Sequence, residues 1–172
     1  SNSKIYIDKL PLNIIHVGEI IRIFPNAKFI ISLRHPCDCV LSCFMQNFQL
    51  NDAMANFLNL KDTANLYSKV MKLWSQYISV FDVNHHAIRY EDLIKNFEKT
   101  IKDLLVFLEM DWDPVMLKYI ITAKKRSRIT TPSYDQVIQP IYNHALNRCK
   151  NYKKETAKIY SILKPWINKF NY

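Results

Sequence analysis

Arg34 and Ser42 are the first residues on which chemistry could be built. Arg34 closes the apolar run Phe29, Ile30, Ile31 and Leu33, Pro36 follows as the first residue of a helix, and Ser42 stands eight residues after the arginine. A guanidinium at the carboxyl end of a buried strand, beside a helix N-terminus and within reach of a hydroxyl, is a candidate anion site. Guanidinium supplies forked donors, and the first helical turn supplies N–H groups with no intrahelical acceptor. Asp38 in that turn complements the positive end of the helix dipole. Three of the four cysteines, Cys37, Cys39 and Cys43, crowd the same stretch. Their spacing fits neither a zinc ribbon nor a CxxC redox pair, so they read as reduced core residues, no metal site is expected, and a cytoplasmic setting is favoured.

These residues need a parallel strand that feeds directly into a helix, and the pattern predicts an α/β fold. Phe29 to Leu33 reads as a central strand, and Val40, Phe44 and Phe48 recur every four residues as a stripe expected to pack on the sheet. Upstream, Ile5-Tyr6-Ile7 is a short strand stopped by Pro11. Asn13 is then expected to cap a helix carrying Ile14, Val17, Ile21 and Phe24. Residues 52–82 are expected to be mostly helical, with Ala64, Tyr67, Met71, Trp74, Ile78 and Phe81 on one core-facing stripe. Asn84, His85 and His86 read as an exposed turn before a strand Ala87 to Tyr90, and Leu93, Phe97, Ile101, Leu104 and Leu108 mark the next helix face. Asp113-Pro114 starts another helix, and the final one, with Tyr160, Leu163, Ile167 and Phe170, is expected to bend or break at Pro165.

The 172 residues suffice for one domain, 1–172, with Ser1-Asn2 set aside as a vector scar. Net charge of +9 favours an anionic ligand, although A+T-rich coding, which enriches Lys, Asn, Ile and Tyr, would give the same balance. The most apolar segment, Ile14 to Phe24, is interrupted by His16, Glu19 and Arg22, so no membrane span is expected. The basic run Lys124-Lys125-Arg126-Ser127-Arg128 lacks a groove-reading module, and nucleic acid is not an expected partner. Gly18 is the only glycine, so no glycine-rich loop in these residues can cradle a phosphate.

Four segments taken in order, DKLPLN, LRHPCDCVLSCF, RYEDL and TTPSYDQVIQP, resemble the sulfotransferases that use 3′-phosphoadenosine 5′-phosphosulfate (PAPS), including the bacterial and protein-tyrosine enzymes. The resemblance implies a three-layer, P-loop-NTPase-like fold with a parallel sheet. It also implies that the family's first strand and phosphosulfate loop lie outside this chain, which is then expected to be a C-terminal fragment inactive by itself. On the matching positions, Arg34 and Ser42 would bind the donor's 3′-phosphate and Lys9 would be the catalytic cation. Tyr90 would contact the adenosine, and Thr131, Ser133, Gln136 and Arg148 would belong to a late loop over the nucleotide. Lys9 as a plain solvated lysine and Tyr90 as a structural residue remain open. Arg148 has Asn147 and Cys149 where the family has glycine and tryptophan. The implied reaction moves a sulfuryl group from PAPS, without a metal, to a hydroxyl acceptor such as a protein tyrosine, a carbohydrate or a small molecule. The alternative is a non-catalytic module that keeps only the 3′-phosphoadenosine half-site.

Overall fold

A computed structural model describes residues 5–121, 141 and 146–172 of the chain. A 3-10 turn Pro11–His16 leads into helix α1, Val17–Ile23; strand β1, Phe29–Leu33, runs into α2, Pro36–Phe44; and α3, Leu60–Val80, returns to strand β2, His85–Arg89. Helices α4, Tyr90–Lys95, and α5, Phe97–Leu108, follow, and α6, Lys153–Lys169, ends the chain. The architecture is mixed α/β. Its described sheet has two parallel strands in the register Phe29↔His85 to Leu33↔Arg89, joined by a helical crossover as parallel pairing requires.

Side chains alternate across this sheet, which explains how it is covered. Phe29, Ile31 and Leu33 face a cluster of Val17, Met71, Trp74, Val83 and Trp166, and His85, beside Phe29, meets Trp74 edge-on at 5.3 Å. His86 points the other way and stacks on Phe107 of α5 at 5.3 Å. The two histidines are therefore strand residues and not the turn expected from the sequence, although His85 stays exposed as expected. Aromatic neighbours on both faces compensate their weak strand preference, and the His85 ring also bonds the Val83 carbonyl at 2.7 Å. A second cluster joins Cys37 and Val40 of α2, Ala64 of α3, and Ile159, Leu163 and Ile167 of α6.

Several local expectations change for physical reasons. In α2 the buried face is Cys37, Val40 and Leu41, while Phe44, the last helical residue, is 38% exposed. The helix stops at Phe44, so Phe48 leaves the stripe and packs on Phe57 instead. Ile5 to Ile7 form no strand and stay exposed, because no described segment pairs with them. The Asn13 amide donates to Asp8 at 2.7 Å, so it does not cap; the first helical turn instead begins at Pro11. Asn59 is the effective cap of α3, accepting from Lys61 and Asp62. Helix α6 runs through Pro165, since the buried Leu163, Trp166 and Ile167 hold both sides of the missing hydrogen bond.

Candidate functional site

The turn from β1 to α2 carries the site, and its shape is fixed by residues far away in sequence. His35 is the N-cap of α2: its Nδ1 accepts from the Cys37 N–H at 3.2 Å, and its carbonyl accepts from the Cys39 N–H at 2.9 Å. The His35 N–H in turn donates to Glu91 Oε1 at 2.9 Å, and the Tyr172 hydroxyl donates to Glu91 Oε2 at 2.9 Å. Tyr172 also meets the His35 ring edge-on at 5.3 Å and lies under the Arg89 guanidinium at 4.1 Å. Burial first, and then the hydrogen bond to Glu91, push the Tyr172 hydroxyl well above its ordinary range, so it remains a donor at neutral pH. Glu91, which fixes this turn, is the residue that motif reading passed over. It stands inside RYEDL, at the first turn of α4, where its role looks like an ordinary dipole partner.

Arg34, held by that turn, lies over the Tyr90 ring at 5.3 Å, a cation–π contact that aims the guanidinium. The structure thus brings together two of the residues singled out in the sequence. Tyr90 is the first residue of α4 and not the last of the strand, because β2 pairing ends with Leu33↔Arg89. Arg34 also lines a mostly apolar cleft of about 1280 Å³ between the N-terminal segment, β1 and α3. Lys9 is exposed and lines the same cleft. Ser42 is half-buried one helical turn beyond Asp38, and its hydroxyl makes no hydrogen bond among the described residues. With His35 already capping α2, the cationic part of the site is Arg34 more than the helix end.

Arg148 begins a 3-10 turn, Arg148–Tyr152, and that turn is tied to α2: the Cys149 N–H donates to the buried Asp38 Oδ1 at 2.7 Å. Asp38 therefore anchors a chain segment as well as facing a dipole. Thr131, Ser133 and Gln136 lie outside the described residues.

The thiols fall into two pairs. A hydrogen bond from Cys149, aided by His35, outweighs burial and lowers Cys37 to about 5, and the same bond pushes Cys149 far up. The Cys37 partner likewise raises His35 against burial, so the charged imidazole and its capping role compete for one ring. Along α2, the Cys39–Cys43 hydrogen bond pushes Cys39 up and Cys43 down, with Arg34 lowering both. Among the described residues no group of three His, Cys, Asp or Glu could hold a metal ion. Nor is any described helix long and apolar enough to cross a membrane.

The only glycine serves packing. A Cβ on Gly18 would stand 3.0 Å from Cε1 of Tyr77, whose hydroxyl donates to the Ile15 carbonyl at 2.8 Å.

An uncharacterized protein of Aquifex aeolicus is 28% identical over 164 residues, which cover 95% of this chain and 21% of that protein. Protein-tyrosine sulfotransferase 1 of Danio rerio is 25% identical over 146 residues, covering 82% of this chain and 40% of that protein. The chain thus spans less than half the length of either relative. Residues 1–114, which include Lys9, Arg34, Ser42 and Tyr90, match the sulfotransferase family, and the chain belongs to that family.

Proposed function

We propose that this chain carries the nucleotide-binding part of a sulfotransferase that moves a sulfuryl group from PAPS to a hydroxyl acceptor, within a P-loop-like layered fold. The observation that carries the reading is Arg34. It is a cation at a strand end, oriented by an aromatic ring and by a turn pinned through Glu91, and it opens on a cleft large enough for a nucleotide. These residues fit the 3′-phosphoadenosine half of the donor. Arg34 takes the 3′-phosphate through charge-assisted hydrogen bonds, with the Ser42 hydroxyl as second donor, and Tyr90 flanks the adenosine. Arg148, on a turn tied to α2 through Cys149 and Asp38, is a further cation for the nucleotide.

The donor supplies an activated sulfuryl group whose departure leaves negative charge on phosphate. Lys9, which lines the cleft, is a cation that meets that charge, and such contacts accelerate transfer because they strengthen as charge develops. The 28% and 25% relatives leave the acceptor open between a protein tyrosine and other hydroxyls.

Calorimetric titration with 3′-phosphoadenosine 5′-phosphate tests the reading. A charge-assisted phosphate contact is worth about 1.5–3 kcal/mol, so Arg34→Ala should weaken binding roughly tenfold to a hundredfold or more. Unchanged affinity would remove Arg34 from the site. A second reading, a binding module without turnover, is favoured by the use of Gly18 in packing, which leaves these residues no glycine for a phosphosulfate loop. It expects nucleotide binding with no transfer to phenolic or carbohydrate acceptors in a radiolabel assay, and transfer would exclude it.

A further inference from the structure

Cys37 and Cys149 are the one pair of thiols that joins distant parts of the described chain. They lie 112 residues apart in sequence, yet they share a hydrogen bond, and Cys149 packs on the core cluster that contains Cys37. The Cys149 backbone N–H is held by Asp38, the residue after Cys37, at 2.7 Å, so the segment bearing Cys149 is anchored beside the first turn of α2. We infer that Cys37 and Cys149 form an oxidation site, at which hydrogen peroxide joins them in a disulfide that fastens the segment bearing Arg148 to the first turn of α2.

The chemistry starts at Cys37. The hydrogen bond from Cys149, aided by His35, lowers Cys37 and so favours its thiolate, the reactive form. Cys37 is only 4% exposed while Cys149 is half-buried, so access is through the Cys149 side and suits a small oxidant. The Cys37 sulfur attacks one peroxide oxygen: an S–O bond forms, the O–O bond breaks, and hydroxide leaves. Hydroxide takes the Cys149 proton and becomes water. The Cys149 thiolate then attacks the sulfur of the Cys37 sulfenic acid, forming the S–S bond and expelling a second hydroxide, which is protonated from solvent. In net terms two thiols lose two electrons and two protons, and one peroxide becomes two waters.

The neighbouring pair offers an internal contrast. Cys39 and Cys43 stand one turn apart on α2, where Cβ atoms are about 5–6 Å from each other, against the roughly 3.5–4.5 Å that a disulfide needs. A bridge there would distort the helix.

Peptide mapping after peroxide treatment of the full chain tests the assignment. Trypsin places Cys37, Cys39 and Cys43 on one peptide, residues 35–61, and Cys149 on the dipeptide 149–150, so the cross-link has a unique mass. The link is expected in the wild type and in the Cys39→Ser/Cys43→Ser double variant, and lost in Cys37→Ser and in Cys149→Ser. Because it closes a loop of about a hundred residues, oxidation should raise the Tm by about 5 °C or more, and dithiothreitol should reverse the rise. A Cys39–Cys43 product, a cross-link between two copies, unreacted thiols, or a Tm that stays level or falls on oxidation would each overturn the inference. Survival of the link to residues 35–61 in Cys37→Ser would overturn it as well.

Discussion

Glu91→Ala should lower the stability of this protein by about 2–4 kcal/mol, far more than an exposed glutamate is worth, because one carboxylate holds two strangers to its own helix. It accepts from the His35 N–H and from the Tyr172 hydroxyl, both at 2.9 Å. A hydrogen bond to a charged group contributes roughly 1.5–3 kcal/mol, and stripping the acceptor leaves the part-buried His35 N–H without its partner. The Tyr172 hydroxyl, only part-buried, can turn to water, so the second bond counts for less than the first. For a chain of this size the loss corresponds to a fall in Tm of roughly 5–15 °C.

Glu91→Gln separates geometry from charge. Its amide oxygen can still accept from His35, and its amide N–H can donate to the Tyr172 oxygen, so the expected loss is under about 1 kcal/mol. Urea denaturation at constant slope reads both variants, and a double-mutant cycle with Tyr172→Phe should show coupling of about 0.5 kcal/mol or more. Under conditions where both variants are folded, only the alanine should also bind the nucleotide product more weakly, since the turn it loosens carries Arg34. Glu91→Ala within about 0.5 kcal/mol of wild type, or Glu91→Gln as damaging as the alanine, would refute the reasoning.

The strand-to-helix junction was legible because its signals are local. An apolar run, an arginine, a proline at the helix start and an aspartate in the first turn all act within ten residues, and β1 and α2 stand where they predict. What holds that junction was not legible, because it arrives from elsewhere: Glu91 from α4, Tyr172 from the chain end and Cys149 through Asp38. Periodicity likewise found the α3 stripe as far as Ile78, yet it also placed in the core Phe81, which lies past the helix end and is exposed, and Phe44. It had no means of knowing that α2 ends at that residue and that α3 and α6 cover the Cys37–Val40 side instead. His85 and His86 were misplaced for a related reason. Local preference reads paired histidines as a turn, whereas Trp74 and Phe107 receive one on each face of the sheet.

Two further outcomes follow. If Lys9 meets the charge of the leaving group, Lys9→Ala should lower turnover in the full protein far more than it lowers nucleotide affinity; steady-state kinetics with an equal change in both would make it a binding residue only. Gly18→Ala should destabilise by about 1 kcal/mol even though alanine is the better helix former by roughly 0.5–1 kcal/mol. The added Cβ would sit 3.0 Å from Cε1 of Tyr77, and that ring is not free to swing, since its hydroxyl is bonded to the Ile15 carbonyl at 2.8 Å. The sign of the effect therefore depends on the ring. In a Tyr77→Leu background the obstruction is gone, and the same Gly18→Ala change should become neutral or stabilising in urea denaturation. Stabilisation by Gly18→Ala in the wild-type background would mean that the contact does not constrain the helix, and that this glycine is not kept for packing.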